Sequence, residues 1–224
     1  MCGRFTLEKS IGNLGSLFQV RGVAELPERY NIAPTQPIVA IRQAEAGEER
    51  ELVLLRWGLI PGWAKEPAAL PLLINARAET AAAKPAFRAA LRRRRCLVPA
   101  DGFYEWQRRE GRKQPYHMRR RDGHPFALAG LWERWEGPDG AIDSCALLTT
   151  ASNALMRPIH DRMPVILDPQ TFDLWLDPSM QDVERVQSLL RPYPAEAMIA
   201  YPVSPMVNNA RNDNPQCVLP LEPD

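Results

Sequence analysis

The sequence lacks the signatures of most common enzyme classes. Its four cysteines, Cys2, Cys96, Cys145 and Cys217, never fall at C-x-x-C spacing, and its three histidines, His117, His124 and His160, are scattered. Neither a zinc site nor a disulfide framework is implied, so no metal and no cofactor are expected. No apolar run approaches the ~20 residues that span a bilayer, and the start carries no apolar signal-peptide core. The expected location is the cytoplasm, with no membrane partner. P-loop, G-x-S-x-G and dinucleotide fingerprints are missing. So are repeats, long linkers and composition breaks, and residues 1–224 read as a single domain, expected to be a monomer.

What is present begins with Met1-Cys2-Gly3-Arg4-Phe5-Thr6. Cys2 is small, so removal of Met1 is expected. Removal leaves a cysteine whose free α-amine titrates near about pH 8 and whose thiol titrates near about 8.5. Such a 1,2-aminothiol forms a Schiff base with an aldehyde through its amine. Its thiol then closes on the imine carbon to give a thiazolidine. Gly3 leaves space and backbone freedom beside that centre. Arg4 sets a cation two residues away, suited to a phosphate. The alternative is a small buried core residue, the usual role of a free cysteine.

Net charge is only +1, but it is unevenly placed. Residues 84–121 hold thirteen Lys and Arg against three acids, whereas residues 168–224 hold nine acids against three arginines. A basic middle on a near-neutral chain predicts a polyanion surface, sharing a groove with the first residues, or else a solvated helix face and hairpin loop. The 22 prolines favour short strands and loops over a helical bundle. The fold expected is α+β, with a mostly antiparallel sheet curled into a barrel-like core and helices around it.

Periodicity predicts strands over 4–6, 37–43, 51–57, 96–99, 142–150, 165–167 and 198–203, and a hairpin pairing 114–120 with 125–135. Helices are predicted over 7–20, 85–94 and 172–190, the last interrupted at Asp177-Pro178, with a short one opening at 149–153. Residues 30–35 read as a loop, and the tail from Ser204 shows no chemistry. In Trp57-Gly58-Leu59-Ile60-Pro61-Gly62-Trp63, the aromatics suit either a stacking platform for bases or a plug closing the barrel, with Trp57 favouring the plug. Asn75 reads as a helix N-cap or an orienting amide. In Gly102-Phe103-Tyr104-Glu105-Trp106, alternation puts Phe103 and Glu105 on one side. Glu105 is then a carboxyl among aromatics with a raised pKa, or an exposed edge residue. His160, on a loop beside Asp161 and Arg162, suits proton transfer or a structural role.

Five groups of residues together resemble the SRAP family, the SOS response-associated peptidases. They are Cys2-Gly3-Arg4-Phe5; Tyr30-Asn31-Ile32-Ala33-Pro34; Trp57-Gly58-Leu59-Ile60-Pro61; Asn75-Ala76-Arg77-Ala78-Glu79-Thr80; and Gly102-Phe103-Tyr104-Glu105-Trp106 with His160-Asp161-Arg162-Met163-Pro164. The resemblance spans roughly the whole chain. It implies binding of single-stranded DNA and covalent trapping of abasic sites, whose ring-opened sugar carries an aldehyde. It implies Cys2 as nucleophile, Asn75 holding the cysteine and sugar, and Glu105 and His160 handling protons. Arg4, Arg77 and Arg162 would grip phosphates, and Trp63 would stack or wedge. Peptidase activity is read as removal of the chain's own Met1, with DNA strand scission as a side reaction. The competing readings are an N-terminal cysteine peptidase using Cys2 and His160, and a non-covalent DNA-binding module for modified bases.

Overall fold

Short apolar runs broken by glycine and proline become strands. The computed structural model describes residues 2–8, 12–20, 27–44, 49–109 and 111–222. The strands are β1 (Phe5–Leu7), β2 (Arg29–Ile32), β3 (Pro37–Gln43), β4 (Arg50–Trp57), β5 (Asn75–Arg77), β6 (Arg95–Ala100) and β7 (Gly102–Arg109). They continue with β8 (Arg112–Arg120), β9 (Phe126–Gly137), β10 (Gly140–Ala151), β11 (Arg162–Pro164), β12 (Ile166–Leu167) and β13 (Met198–Pro202). The helices are short: α1 (Gly12–Phe18), α2 (Ala78–Ala81), α3 (Arg88–Arg93), α4 (Phe172–Leu176) and α5 (Val183–Gln187).

The strands form two sheets. One has the order β13-β8-β7-β1-β2 and is antiparallel throughout. The other contains the path β10-β4-β3-β6-β9, and β9 also pairs with β10, so these five strands close on themselves. Closure leaves no unpaired edge within that ring. Its neighbours are antiparallel except β4 beside β10. One cluster of buried side chains, from Cys2 to Met198, draws on both sheets. The fold is α+β with a barrel-like core, as expected.

Trp57 is the plug. It is fully buried, its ring meets Phe5 edge-on at 5.2 Å between centroids, and its indole N–H donates to the Ile74 carbonyl at 3.0 Å. It thereby joins the first strand to one end of the ring.

Several local expectations are corrected. Strand β8 pairs with β7 and β13, not with β9, which lies in the other sheet. Gly111 (φ +78°) and Gly123 (φ +69°) both turn the chain in the left-handed region, but only the first joins paired strands. Residues 30–32 extend into β2 instead of looping, because β1 offers them an edge. Residues 149–151 stay in β10, held by β11, so no helix opens there. Leu7 is in β1 and the helix starts at Gly12; residues 9–11 lie outside the described residues. Asn75 is no cap: it is in β5, parallel to β10, and Arg77 holds the N-cap position of α2.

The tail, silent in sequence, clasps β2 and Arg4, the residue before β1. Asp213 accepts hydrogen bonds from the backbone N–H groups of Tyr30 and Asn31 and from Arg29 Nε. Asn31 Nδ2 lies 2.8–3.1 Å from the carbonyls of Val207, Asn209 and Asn212. Arg4 Nη1 donates to the Val207 carbonyl at 2.7 Å and to Asn31 Oδ1 at 3.1 Å.

His117 is sealed beside β1, where Thr6 meets its ring. Gly102 lacks the side chain that would collide with its ring. Tyr201 OH donates to the Val218 carbonyl at 3.1 Å, so it accepts from His117 Nδ1 at 3.0 Å, leaving Nε2 to accept from Thr6 Oγ1 at 3.3 Å. Burial first, and the Arg119 charge second, push the ring's pKa down to about 3.

Two outcomes follow. The unfolded chain takes up a proton on His117 near pH 6.5, whereas the folded chain does so only near pH 3. Stability is therefore full above about pH 6.5 and falls as pH drops, by up to ~1.4 kcal/mol per unit from this group. Denaturant titrations of His117→Gln between pH 6 and 4 should show a shallower decline than the parent; equal slopes would count against a neutral ring. Asp213→Ala should destabilise by about 1.5–3 kcal/mol, read as a lower denaturation midpoint.

Candidate active site

The register of β1 on β7 builds the site. Phe5 pairs with Phe103 and Thr6 with Gly102, and the Tyr104 N–H donates to the Arg4 carbonyl at 3.0 Å. Continued one step, the ladder sets Gly3 beside Glu105, with Cys2 just beyond. Alternation along β7 holds: Phe103 enters the main core, while Tyr104 and Trp106 pack with Val203 and Val207 of the tail region. Trp106 Nε1 also donates to Asn208 Oδ1 at 2.7 Å.

Cys2 is completely buried. Its carbonyl accepts a hydrogen bond from Asn75 Nδ2 at 2.8 Å, and its Sγ lies 3.9 Å from the Arg4 carbonyl. Burial, reinforced by the charge of Glu105, pushes the thiol well above the usual range, so the sulfur rests protonated. Glu105 is itself buried, and burial raises its carboxyl, with the nearby His160 charge opposing the rise. The aromatic setting read from the sequence is thus a buried one. Asn75 Oδ1 is also buried and has no hydrogen-bond partner among the described residues. In a site already holding the Cys2 carbonyl, that atom is available to a ligand donor.

His160 is half-buried on a stitched loop. Gln107 Nε2, from β7, donates to the Pro158 carbonyl at 2.9 Å, and the His160 N–H donates to the Met156 carbonyl at 2.9 Å. His160 Nδ1 lies 3.0 Å from both the Arg162 N–H and Asp161 Oδ1. The Arg162 N–H brings its own hydrogen, so in the neutral ring Nδ1 accepts and the proton sits on Nε2. A protonated ring instead turns Nδ1 into a donor toward Asp161. Cys2, Asn75, Glu105 and His160 therefore form one group, drawn from the N-terminal strand, β5, β7 and the loop before β11.

The arginines differ in what they already hold. Arg4 is engaged by Asn31, Val207 and Asn208. Arg162 forms a two-pronged pair with Glu79 at 2.7 and 2.9 Å and donates to the Thr149 carbonyl at 2.6 Å. That pairing holds the Glu79 carboxyl below the usual range. The Arg77 side chain is exposed and makes no hydrogen bond or ion pair among the described residues, though its charge adds to the lowering of Glu79. Trp63 is 61% exposed, on a loop pinned by Leu59 N–H to the Leu73 carbonyl and Ile60 N–H to Ser144 Oγ. Sequence reasoning missed Glu79 and Thr149 as holders of Arg162. Asn75 and Arg77, two apart in β5, share one side of that strand, and Glu79 follows in the first turn of α2.

Known proteins resemble this chain over most of its length. The family model for SOS response associated peptidase (SRAP) matches residues 1–210. The abasic site processing protein YoqW of Bacillus subtilis (strain 168) is 44% identical over 97% of this chain and 99% of its own. The abasic site processing protein HMCES of Gallus gallus is 35% identical over 81% of this chain and 61% of its own. A solved structure from Bacteroides thetaiotaomicron superposes with a TM-score of 0.86 at 26% identity, covering 99% of this chain and all of that one. With a family match across nearly its full length, the chain belongs to the SRAP family.

Proposed function

We propose that this protein processes abasic sites in single-stranded DNA by capturing them covalently through Cys2. The reading rests foremost on one observation: Cys2 is buried with its carbonyl fixed by Asn75 and with Glu105 beside it. The relatives named for abasic site processing support the same direction.

The reaction begins once Met1 is removed, by the chain itself or by an aminopeptidase, because an amide nitrogen is not nucleophilic. Glu105 accepts a proton from the ammonium. The amine adds to the aldehyde of the ring-opened sugar, Glu105 returns its proton to the new alkoxide, and His160 takes a proton from the nitrogen to give a carbinolamine, then delivers it to the departing oxygen. One water leaves and an iminium remains. The Cys2 sulfur adds to the iminium carbon as its proton passes to Glu105, and the thiazolidine closes. Asn75 Oδ1 orients the sugar hydroxyl without adding charge. Arg77 meets a flanking phosphate directly, while Arg4 and Arg162 bring positive charge from their anchored positions. Trp63 stacks on a neighbouring base, a contact worth about 1–3 kcal/mol. Phosphate contacts carry no sequence information, so base preference is weak. Where ring closure fails, loss of the proton next to the iminium carbon expels the 3′ phosphate and cuts the strand. The protein acts as a monomer in the cytoplasm, on the nucleoid when bound to DNA, within the response to DNA damage.

Intact mass spectrometry tests the reading. Purified protein should lack Met1. With abasic single-stranded DNA it should gain the mass of the oligonucleotide less one water, as a heat-stable adduct. Cys2→Ala should form none; a full yield from that variant would end the proposal. Cys2→Ser should trade the stable adduct for a labile imine and strand cleavage. Glu105 works as a base when ionised, and burial lifts its carboxyl above the usual range. The rate should therefore fall with acid along a limb lying above that of an exposed glutamate. Glu105→Gln should remove the limb and slow capture by about 10²–10⁴-fold, measured as initial adduct rate against pH.

A further inference from the structure

The strongest unexplained feature lies away from Cys2. A cavity of about 390 Å³ is lined by Arg88, Ala89, Arg92, Arg93, Arg94 and Gln181. None of Cys2, Asn75, Glu105 or His160 lines it, so the basic middle of the chain does not simply wrap the reactive centre. Arg88, Arg92 and Arg93 are exposed. Among the described residues Arg94 alone of the four has a carboxylate partner, Glu133, at 2.7 Å. Arg93 reaches only the neutral amide of Gln181, at 3.5 Å. Arg88 and Arg92 are four apart on α3, a like-charge spacing that weakens a helix by about 0.2–0.5 kcal/mol.

The cavity is rigidly built. Arg95 is buried beneath it and donates to the carbonyls of Leu91 and Arg92 at the end of α3, and to those of Trp175 and Asp177 at the end of α4. One buried guanidinium thus fixes the helix carrying the arginines against its neighbour. Arg94 Nε is buried with no hydrogen-bond partner among the described residues.

The cavity also connects to the loop that presents Trp63. Glu133 of β9 holds Arg94 on one side. On the other it packs against Gly62, where an added Cβ would come within 3.0 Å of the Arg134 carbonyl and 3.6 Å of Glu133 Oε1. The Trp132 N–H donates to the Arg94 carbonyl at 2.9 Å. Gly62, Glu133, Arg94 and the α3 arginines are therefore consecutive neighbours.

We propose that this arginine-lined cavity is a second phosphate-binding site, which holds the sugar-phosphate backbone of the DNA strand several nucleotides from the lesion, beyond the Trp63 loop. Guanidinium forks suit phosphate oxygens, and a strand leaving the reactive centre over Trp63 meets them next. The proposal rests on the DNA reading above and deepens it. Strands too short to reach α3 gain nothing from the cavity; longer ones bind more tightly before any covalent step. An acidic protein segment is the competing occupant.

The test uses full-length protein and oligonucleotides of 5 and 25 nucleotides, each with one abasic site. A non-reactive tetrahydrofuran analogue of that site serves for equilibrium binding. In Arg88→Gln/Arg92→Gln/Arg93→Gln, affinity for the 25-mer should fall tenfold or more at low salt. The slope of log K against log salt should shrink by about 2, as expected for three lost contacts to a single strand. Affinity for the 5-mer and adduct rate at saturating DNA should not change. Gln181→Glu, which adds one negative charge to the cavity, should weaken only the 25-mer. Equal affinity and slope in parent and triple variant would overturn the proposal. Equal losses on both lengths, or loss of polyglutamate binding with DNA binding intact, would do the same. Absence of any adduct in the parent would defeat the capture reading, while length-dependent binding would still be decided by the variants.

Discussion

The candidate site depends on the insertion of the first residues into a sheet as an interior strand. Hydrogen bonds between β1 and β7 carry Cys2 to the buried end of Glu105, and β2 covers the other side of β1. Asn75 grips the Cys2 carbonyl and Arg4 is drawn into the tail, so the residues before β1 gain the fixed geometry of a core.

That geometry explains how one burial event serves two groups. Removal from water keeps the thiol protonated and raises the Glu105 carboxyl at the same time. A protonated sulfur is a weak nucleophile toward stray electrophiles, so in the proposed reaction it waits for an iminium carbon held beside it. A carboxyl lifted toward neutrality exchanges protons more readily than an exposed one. The surrounding cations are graded in the same way. Arg162 and Arg4 already have partners, which sets their positions, whereas Arg77 faces solvent.

Much of this was legible in the sequence. Alternation placed Phe103 on the core side of β7, opposite Tyr104 and Trp106. Trp57 could be read as a plug because an aromatic beside glycine and proline suits a barrel end. What could not be read has a common physical origin, in contacts that use backbone groups or depend on partner choice. Asp213 receives the N–H groups of residues 30 and 31 from more than 180 positions away, and carbonyl acceptors such as Val207 leave no side-chain signature. Strand β8 has the alternation of a hairpin arm, but alternation does not say which neighbour it joins. Asn75 sits at a real boundary before a helix; the edge of β10 claimed it for a strand, and the cap position moved two residues on.

The clasp between Arg4, Asn31 and the 207–213 segment has a consequence for biosynthesis. Translation delivers Arg4 and β2 long before the residues that secure them. A ribosome-bound chain short of Asp213 holds β2 without that anchor. The order of this corner thus waits for residues 207–213, and copies terminated before them lack the clasp.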